Sequence, residues 1–314
     1  MALILREAEV AQLLDMDVVL RAVEAAMREL GEGKAQNQPR RRVYPPGGIL
    51  NVMFASLPSA GFSGLKAYSV GGGKARFVVM LFDHEGVLQA LIEADLMGAY
   101  RTGAATGVAV RALAPRDART VAIIGTGHQA LTQAMAVARA IPLEEMRVFG
   151  RDPARRERFA GLVADDWGKR PVVASSAEEA VRGADVVVTI TTSAEPVFDA
   201  AWVRRGALVC GCGSNIPTRS EVPAELVETA DVIVADQVEA AQLESGDLIR
   251  AAVDWSRVVG LGDVLAGKAA GRESDDQTVL FESHGLALWD VAAGAEVLAA
   301  ARGRGAGTEI PLLA

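Results

Sequence analysis

The sequence predicts an α/β protein: a doubly wound parallel sheet joined to an α+β domain that both ends of the chain form. Its 314 residues exceed what one hydrophobic core usually supports, which favours two domains. From Thr120 onward, apolar strand-like runs alternate with helical stretches, as in a parallel sheet covered on both faces. Before Thr120, short strand-like pieces follow one another between turns, as in a mostly antiparallel sheet. We therefore expect residues 1–114 and 280–314 to form one domain and residues 115–279 the other.

The composition excludes several classes of function. A formal net charge of -8 argues against general nucleic-acid binding, which needs a concentrated basic face. The N-terminal residues do not show the basic segment followed by an apolar run that is typical of a signal peptide, and the sequence has no apolar run of about 18 residues. We therefore expect a cytoplasmic protein without a membrane partner. Cys210, Cys212 and the three scattered histidines lack the spacing of a metal site. We expect no metal and two cysteines that pack in the core.

The first domain is predicted to start with an amphipathic helix and to continue as a sheet. Asp15 or Asp17 can cap the helix, and Gly31 and Gly33 can end it. Apolar residues mark its buried face: Leu20, Val23, Met27 and Leu30. The sheet follows as I-L-N-V-M-F-A, S-G-L-K-A-Y-S, F-V-V-M-L-F-D and V-L-Q-A-L-I. We expect a long helix at 95–113, which precedes the parallel-sheet region in the sequence, and another at 285–302, which follows it. The second helix is expected to pack on the first domain.

The run V-A-I-I-G-T-G-H-Q-A, from residue 121 to 130, predicts a dinucleotide site. The spacing G-x-G-x-x-A is weak evidence alone, because the chain has 32 glycines. Here the motif follows a strand and opens a helix within a βαβ unit, which is the Rossmann arrangement in which backbone N–H groups hold a pyrophosphate. A tight structural turn is the alternative. The expected cofactor-binding residues of this turn are Gly125, Thr126, Gly127, His128 and Gln129.

The end of the second strand of this domain, V-F-G-R-D-P, indicates which nucleotide binds. Gly150 stands where an acid usually accepts hydrogen bonds from the ribose, and Arg151 follows it. Because an arginine favours a 2′-phosphate, we predict NADP(H) in preference to NAD(H). Asp152 leaves NAD(H) open, and the alternative interpretation of the neighbouring arginines is a solvated helix face.

Several segments, in order along nearly the whole chain, resemble the ornithine cyclodeaminase and mu-crystallin family. The resemblance implies a homodimer whose first domain supplies the subunit contact and the substrate pocket, facing the Rossmann domain across a cleft. It also implies hydride chemistry at the carbon that bears the nitrogen of a small amino, imino or keto acid. The matching segments are Q-P-R-R-R-V, N-V-M-F-A, G-L-K-A-Y-S, Y-R-T-G-A-A-T-G, I-G-T-G-H-Q-A, A-D-V-V-V-T-I-T-T-S, C-G-S-N-I-P-T-R-S-E and L-G-D-V-L-A-G-K.

The resemblance also implies roles for single residues. Arg41 and Arg101 correspond to carboxylate-binding arginines, with the register among Arg40, Arg41 and Arg42 left open. Lys66 corresponds to the active-site lysine, whose burial on a strand would lower its pKa and let it pass protons. The remaining expected contacts are Met53 in the pocket wall, Thr191 beside the nicotinamide ribose and Ser283 near the nicotinamide ring.

Asn215 departs from the cyclodeaminase pattern. Where cyclodeaminases carry a proton-accepting Asp, this chain has an amide, which orients groups but takes no proton at neutral pH. Cyclisation needs hydride removal, ammonia loss and hydride return, whereas a single hydride step needs less. We therefore expect an NAD(P)-dependent imine reductase or amino-acid dehydrogenase, with Lys66 and Asn215 as its catalytic residues. The alternatives are a true ornithine cyclodeaminase and a non-catalytic NADPH-binding or small-ligand-binding protein.

Overall fold

The computed structural model describes residues 1–311 and divides the chain into two compact units. One unit holds Met1–Thr102 and the chain from Leu286 onward, and the other holds Gly103–Gly285. The division after Thr102 falls inside a long helix, whereas the expected boundary at 114/115 follows the end of that helix. A boundary within one continuous helix leaves no mark in composition.

The first part of the chain contains one strand, a short and a long helix, five further strands in succession and a second long helix. The first long helix is capped as the sequence predicts: Asp15 accepts a hydrogen bond from the backbone N–H of Val18 at 3.0 Å. The elements are β1 (Ala2–Leu5), α1 (Glu7–Leu13), α2 (Met16–Gly31), β2 (Gln36–Val43), β3 (Gly48–Leu57), β4 (Phe62–Gly71), β5 (Lys74–Phe82), β6 (Leu88–Glu93) and α3 (Asp95–Leu113).

The rest of the chain alternates strands with helices, as its apolar runs predict. Its elements are β7 (Thr120–Ile124), α4 (Ala130–Ala140), β8 (Glu145–Phe149), α5 (Pro153–Trp167), β9 (Val172–Val173), α6 (Ala177–Val181), β10 (Val186–Thr189), β11 (Leu208–Gly211), α7 (Ala224–Thr229), β12 (Val232–Ala235), α8 (Val238–Glu244), α9 (Gly246–Arg250), β13 (Val258–Gly260), α10 (Leu261–Leu265), β14 (Val279–Glu282), α11 (Ala287–Arg304) and β15 (Thr308–Ile310).

The sheet of the first unit has the order β15-β1-β6-β5-β4-β3-β2. Neighbouring strands are antiparallel except for the parallel pair β1 and β6. Helix α11 packs on β3, β4 and β5 and on α2, so it covers one face of the sheet. Gly64 permits this close approach, because a Cβ there would lie 2.7 Å from the carbonyl oxygen of Met80 and 3.0 Å from the Val291 side chain.

The sheet of the second unit is entirely parallel, in the order β13-β12-β14-β11-β10-β7-β8-β9. The chain runs from β7 outward to β8 and β9 and then returns to β10 on the other side of β7. Ligands of such folds bind beyond the carboxyl ends of the strands, where the strand order reverses. The predicted fold class, a doubly wound parallel sheet with an α+β partner, is confirmed. Along the described residues, no helix combines the length and apolar content that a membrane crossing needs.

Candidate active site

Lys66 lies on the inner, buried face of the first unit's sheet. It stands on β4 in register with Met53 on β3 and Val79 on β5, and all three side chains are buried. Directly paired residues project to the same face, which is the face that α11 covers. Gly98 on α3 leaves room for the ammonium group, since a Cβ there would lie 3.0 Å from Nζ.

Lys66 and Arg101 share one carboxylate oxygen. Nζ of Lys66 donates to Oδ1 of Asp290 at 2.9 Å, and Nε of Arg101 donates to the same oxygen at 3.1 Å. The three side chains are buried and come from β4, α3 and the first turn of α11. Oδ2 of Asp290 has no hydrogen-bond partner among the described residues. The cluster therefore contains two cations around one anion and keeps one carboxylate oxygen unpaired within the described chain.

Sequence reasoning missed Asp290, although the sequence carried a signal. The run L-A-L-W-D-V-A-A places one carboxylate in an otherwise apolar helix, and Asp is almost never fully buried without a partner. The pattern shows that Asp290 needs a cation. It does not identify Lys66 as that cation, because the two residues are 224 positions apart in the chain.

The surroundings lower the pKa of Lys66 to about 8. Burial is the largest cause, because the charged ammonium loses hydration, and the positive charge of Arg101 acts in the same direction. The charge and hydrogen bond of Asp290 oppose this shift, while Arg40 adds a smaller lowering effect. Lys66 is therefore able to exchange a proton near neutral pH.

Aromatic rings lie against the three cations of this face. Nζ of Lys66 is 5.2 Å from the Phe77 ring centroid, and Cζ of Arg101 is 5.6 Å from that of Trp289. Cζ of Arg40 is 5.8 Å from the ring centroid of Tyr68. Such contacts stabilise partly desolvated cations and keep the surroundings apolar.

Arg40, rather than the expected Arg41, accompanies Lys66. Arg40 is buried and acts electrostatically on Lys66, whereas Arg41 is exposed on the opposite face of the sheet. The reason is a bulge in β2: Gln38 pairs with Phe54 and Arg41 with Val52, so two residues stand opposite Met53. Pro39, the other residue of the bulge, lacks the N–H that a regular ladder requires.

The glycine-rich turn of the second unit joins β7 to α4. Gly125 has φ of 126°, and a Cβ there would lie 2.3 Å from the carbonyl oxygen of Ile190, so only glycine fits. Beside Gly127, no described heavy atom comes within 4 Å of the position that a Cβ would take. Thr126 is partly buried, and His128 and Gln129 are exposed just before α4 begins. This turn offers the close backbone approach that a pyrophosphate requires.

The end of β8 carries the residues expected to select the nucleotide. A Cβ on Gly150 would lie 2.7 Å from Oγ1 of Thr126, so a larger residue there would require Thr126 to move. Arg151 is exposed. Asp152 caps α5 by accepting a hydrogen bond from the backbone N–H of Arg155 at 3.1 Å, and its other oxygen lies 3.6 Å from Nε of Arg155. The Asp152 carboxylate is thus engaged within the helix N-terminus.

Thr191 and Asn215 lie on the loops that follow β10 and β11, two neighbouring parallel strands. Both residues are partly buried. The backbone N–H groups of Thr191 and Gly213 donate to the two carboxylate oxygens of Glu221, at 2.6 Å each. The two loops are therefore held together at the carboxyl edge of the sheet.

Ser283 follows β14 at the same edge. Its backbone N–H donates to the carbonyl oxygen of Gly211 at 2.9 Å. Its buried Oγ has no hydrogen-bond partner among the described residues, so it suits a polar ligand atom.

His284, which follows Ser283, is surrounded by two acidic side chains. Its Nδ1 lies 3.4 Å from Asp236 and its Nε2 lies 3.6 Å from Glu282. Burial alone would lower the pKa of His284, but these two carboxylates raise it to about 10. His284 is thus buried between two acidic side chains.

The structure gathers the predicted residues into one group in each unit. Within the described chain, no three His, Cys, Asp or Glu side chains are arranged to hold a metal ion, and Cys210 and Cys212 are buried free thiols. The first unit holds Met53, Lys66 and Arg101, together with Arg40 and Asp290, whereas Arg41 lies apart from them. The second unit holds Gly125, Thr126, Gly127, His128, Gln129, Gly150, Arg151, Thr191, Asn215 and Ser283 at the carboxyl edge of its sheet or in the loops beyond it.

Comparison with known proteins gives consistent matches. The model of the ornithine cyclodeaminase/mu-crystallin family matches residues 1–304. Delta(1)-pyrroline-2-carboxylate reductase of Bacillus cereus is 35% identical over 239 residues, which are 74% of this chain and 73% of that protein. The Thermococcus litoralis enzyme of the same name, solved with NADH and L-proline, superposes with a TM-score of 0.92 at 29% identity over 98% of this chain and 100% of that one. An archaeal alanine dehydrogenase dimer with bound NAD gives a TM-score of 0.93 at 31% identity over 99% of both chains. The chain belongs to the ornithine cyclodeaminase/mu-crystallin family.

Proposed function

We propose that the chain is an NAD(P)-dependent oxidoreductase that reduces the C=N bond of a small α-imino acid, or interconverts an amino acid with its keto acid. The observation that carries the proposal is the buried cluster of Lys66, Arg101 and Asp290, which joins a proton donor to a carboxylate-binding cation. Relatives with such activities include the pyrroline-2-carboxylate reductases and the archaeal alanine dehydrogenase.

Arg101 and Arg40 are suited to bind the substrate carboxylate. Nε of Arg101 donates a hydrogen bond to Asp290. No described residue accepts a hydrogen bond from the two terminal nitrogens of the Arg101 guanidinium. A guanidinium edge of this kind binds a carboxylate through two parallel, charge-assisted hydrogen bonds. Arg40 adds a second buried cation on the same face. Together with Lys66, these residues exceed the charge of Asp290 and favour an anionic substrate.

Lys66 is suited to deliver the proton. Reduction of C=N adds a hydride to the carbon and a proton to the nitrogen, so one acid is sufficient. Because its pKa is about 8, Lys66 is protonated at neutral pH and yet loses its proton readily. Met53, Phe77 and Tyr68 keep the surroundings apolar, which strengthens the charged contacts.

The second unit fits a nicotinamide dinucleotide. The cradle at Gly125 and Gly127 suits the pyrophosphate, and the unpaired Oγ of Ser283 suits a polar group at the nicotinamide end. When bound, the reduced cofactor supplies the hydride that the imine carbon accepts. For the nucleotide, we propose a preference for NADP(H). Gly150 lacks the carboxylate that favours NAD, Asp152 is engaged as a helix cap, and the exposed Arg151 is available to a 2′-phosphate.

Asn215 favours one hydride step over cyclodeamination. An amide orients groups by hydrogen bonding, but it cannot take a proton at neutral pH and so cannot serve as a general base.

We further propose that two copies associate through the outer face of the first unit's sheet. This face carries exposed apolar side chains, including Phe54 at 51%, Leu50 at 40% and Val43 at 60% exposure. A contiguous apolar face of this kind is typical of a protein interface. The archaeal alanine dehydrogenase relative is a dimer.

A substrate panel tests the proposal. The protein is incubated with NADPH and, in turn, with 1-pyrroline-2-carboxylate, 1-piperideine-2-carboxylate and pyruvate plus ammonia, and the loss of NADPH absorbance is followed. Oxidation with at least one of these substrates is expected. Tight NADPH binding without turnover on any of them would instead support a ligand-binding protein.

A further inference from the structure

The Glu221 carboxylate binds the two loops at the carboxyl ends of β10 and β11. Oε1 accepts a hydrogen bond from the backbone N–H of Thr191 at 2.6 Å. Oε2 accepts from the backbone N–H of Gly213 at 2.6 Å and from Oγ1 of Thr189 at 3.2 Å. A single buried side chain therefore fixes the distance between two backbone segments that no strand ladder joins at this point.

The surrounding chain fits this arrangement closely. A Cβ on Gly213 would lie 2.3 Å from Oε2 of Glu221 and 2.4 Å from the carbonyl oxygen of Thr191, so the position accepts only glycine. The backbone of Glu221 is itself held, because its N–H donates to Oδ1 of Asp247 at 2.7 Å and its carbonyl accepts from Val197 at 2.9 Å. The backbone of Glu221 is thus held by Asp247 and Val197, while its carboxylate is contacted by the loops of Thr191 and Gly213.

We infer that Glu221 is a positioning residue of the proposed reaction, whose ionised carboxylate holds the Thr191 and Gly213 loops at the spacing that the nicotinamide end of the cofactor requires. The inference rests on the proposed function. It follows from the location: the loops extend from the edge of the parallel sheet where cofactors of this fold bind, and Asn215 lies on the second loop.

The donors around Glu221 require the ionised form. Two backbone N–H groups and the hydroxyl of Thr189 point at the carboxylate, so a protonated oxygen would face an N–H donor. Burial raises the pKa of Glu221 to about 7, against the lowering effect of the Thr191 and Gly213 hydrogen bonds, and the charge of Asp247 raises it further. The thiol of Cys212 is a further neighbour, and burial raises its pKa well above the usual value, so it stays protonated. Cofactor affinity should therefore weaken as the pH falls below about 7.

The test is a fluorescence titration of the whole protein with NADH between pH 5.5 and 8.5. NADH is the probe because it lacks the 2′-phosphate, which titrates itself in this range. The wild-type affinity is expected to fall toward acid pH. Glu221→Gln is expected to bind about tenfold more weakly at pH 8 and to lose the pH dependence.

Asp185→Asn is the matched control. Asp185 accepts hydrogen bonds from the backbone N–H groups of Arg119 and Thr120 at 2.7 and 2.9 Å, which is a comparable contact at the opposite, amino edge of the same sheet. This variant is expected to melt at a lower temperature and yet keep the NADH affinity within about twofold.

Three outcomes decide the inference. A folded Glu221→Gln protein with wild-type affinity and wild-type pH dependence would overturn it. If that variant does not fold, the wild-type titration decides alone, and an affinity that stays flat through pH 7 would overturn it. A wild-type protein that binds neither NADH nor NADPH would refute the proposed function itself, which is a distinguishable result.

Discussion

The ammonium group of Lys66 lies 2.9 Å from Oδ1 of Asp290, and both side chains are buried. The carboxylate supports the charged form of Lys66, whereas burial and Arg101 oppose it, and the resulting pKa is about 8. The chemistry of Lys66 should therefore depend on pH in the range where an enzyme works.

Lys66 should give an alkaline limb in the pH profile. The protonated form donates the proton, and its population falls as the pH rises through about 8. We expect kcat for imine reduction to decline above this pH, whereas an ordinary lysine would stay protonated to about pH 10. Lys66→Met should lower kcat by about 10² to 10⁴. A variant that retains wild-type kcat would exclude Lys66 as the proton donor.

Asp290→Asn should move that limb toward acid pH. Without the carboxylate, Lys66 and Arg101 face each other with no anion between them, so the pKa of Lys66 falls further. We expect a displacement of about 1 to 3 pH units, together with a loss of about 3 kcal/mol in the free energy of unfolding at pH 7. Glu29→Gln is a matched control, since Glu29 is buried in the same unit and accepts from the backbone N–H of Ser59. That control should lower stability and leave the limb in place.

Replacement of Arg40 by Met and replacement of Arg41 by Met should have very different effects on KM for the imino acid. Arg40 is buried beside Lys66, whereas Arg41 is exposed on the other face of β2. We expect Arg40→Met to raise KM for the imino acid about tenfold or more, because a charge-assisted contact is lost. Arg41→Met should change KM by less than about twofold. The reverse order would place the carboxylate site on the outer face.

These two arginines also mark a limit of sequence interpretation. Strand periodicity and the glycine motif are sufficient to predict the parallel sheet and the tight turn between β7 and α4, whereas Lys66 is singled out by the family resemblance. The face that each arginine occupies depends on a bulge at Pro39, and one inserted residue reverses every side chain beyond it. The partnership of Lys66 with Asp290 was equally hidden, since it depends on how α11 packs on the sheet.

Arg151 should decide the nucleotide preference. It is exposed beside Gly150, the position at which this chain lacks the carboxylate that favours NAD. We expect Arg151→Ala to lower kcat/KM with NADPH about tenfold and to change kcat/KM with NADH by less than about threefold. Equal losses with both cofactors would show that Arg151 does not read the 2′-phosphate.

Phe54→Asp should dissociate the proposed dimer. Phe54 is half exposed on the outer face of the sheet. An aspartate at this position would be buried in the dimer interface, and burying an unpaired charge costs free energy of association. Light scattering after size-exclusion chromatography should show a dimer for the wild type and a monomer for this variant. Leu162→Asp is the control, since Leu162 is equally exposed on α5 of the other unit. A wild-type monomer, or loss of the dimer in both variants, would contradict the assignment of this face.

Isotope labelling measures whether hydride is transferred to carbon in a single step. 1-Pyrroline-2-carboxylate is reduced with NADPH that carries deuterium at the transferable position, and the proline formed is analysed by mass spectrometry. We expect one deuterium on the α-carbon of proline for each NADPH oxidised. Proline and ammonia formed from ornithine with only catalytic NAD, and no deuterium incorporated from NADPH with the imine, would contradict this expectation.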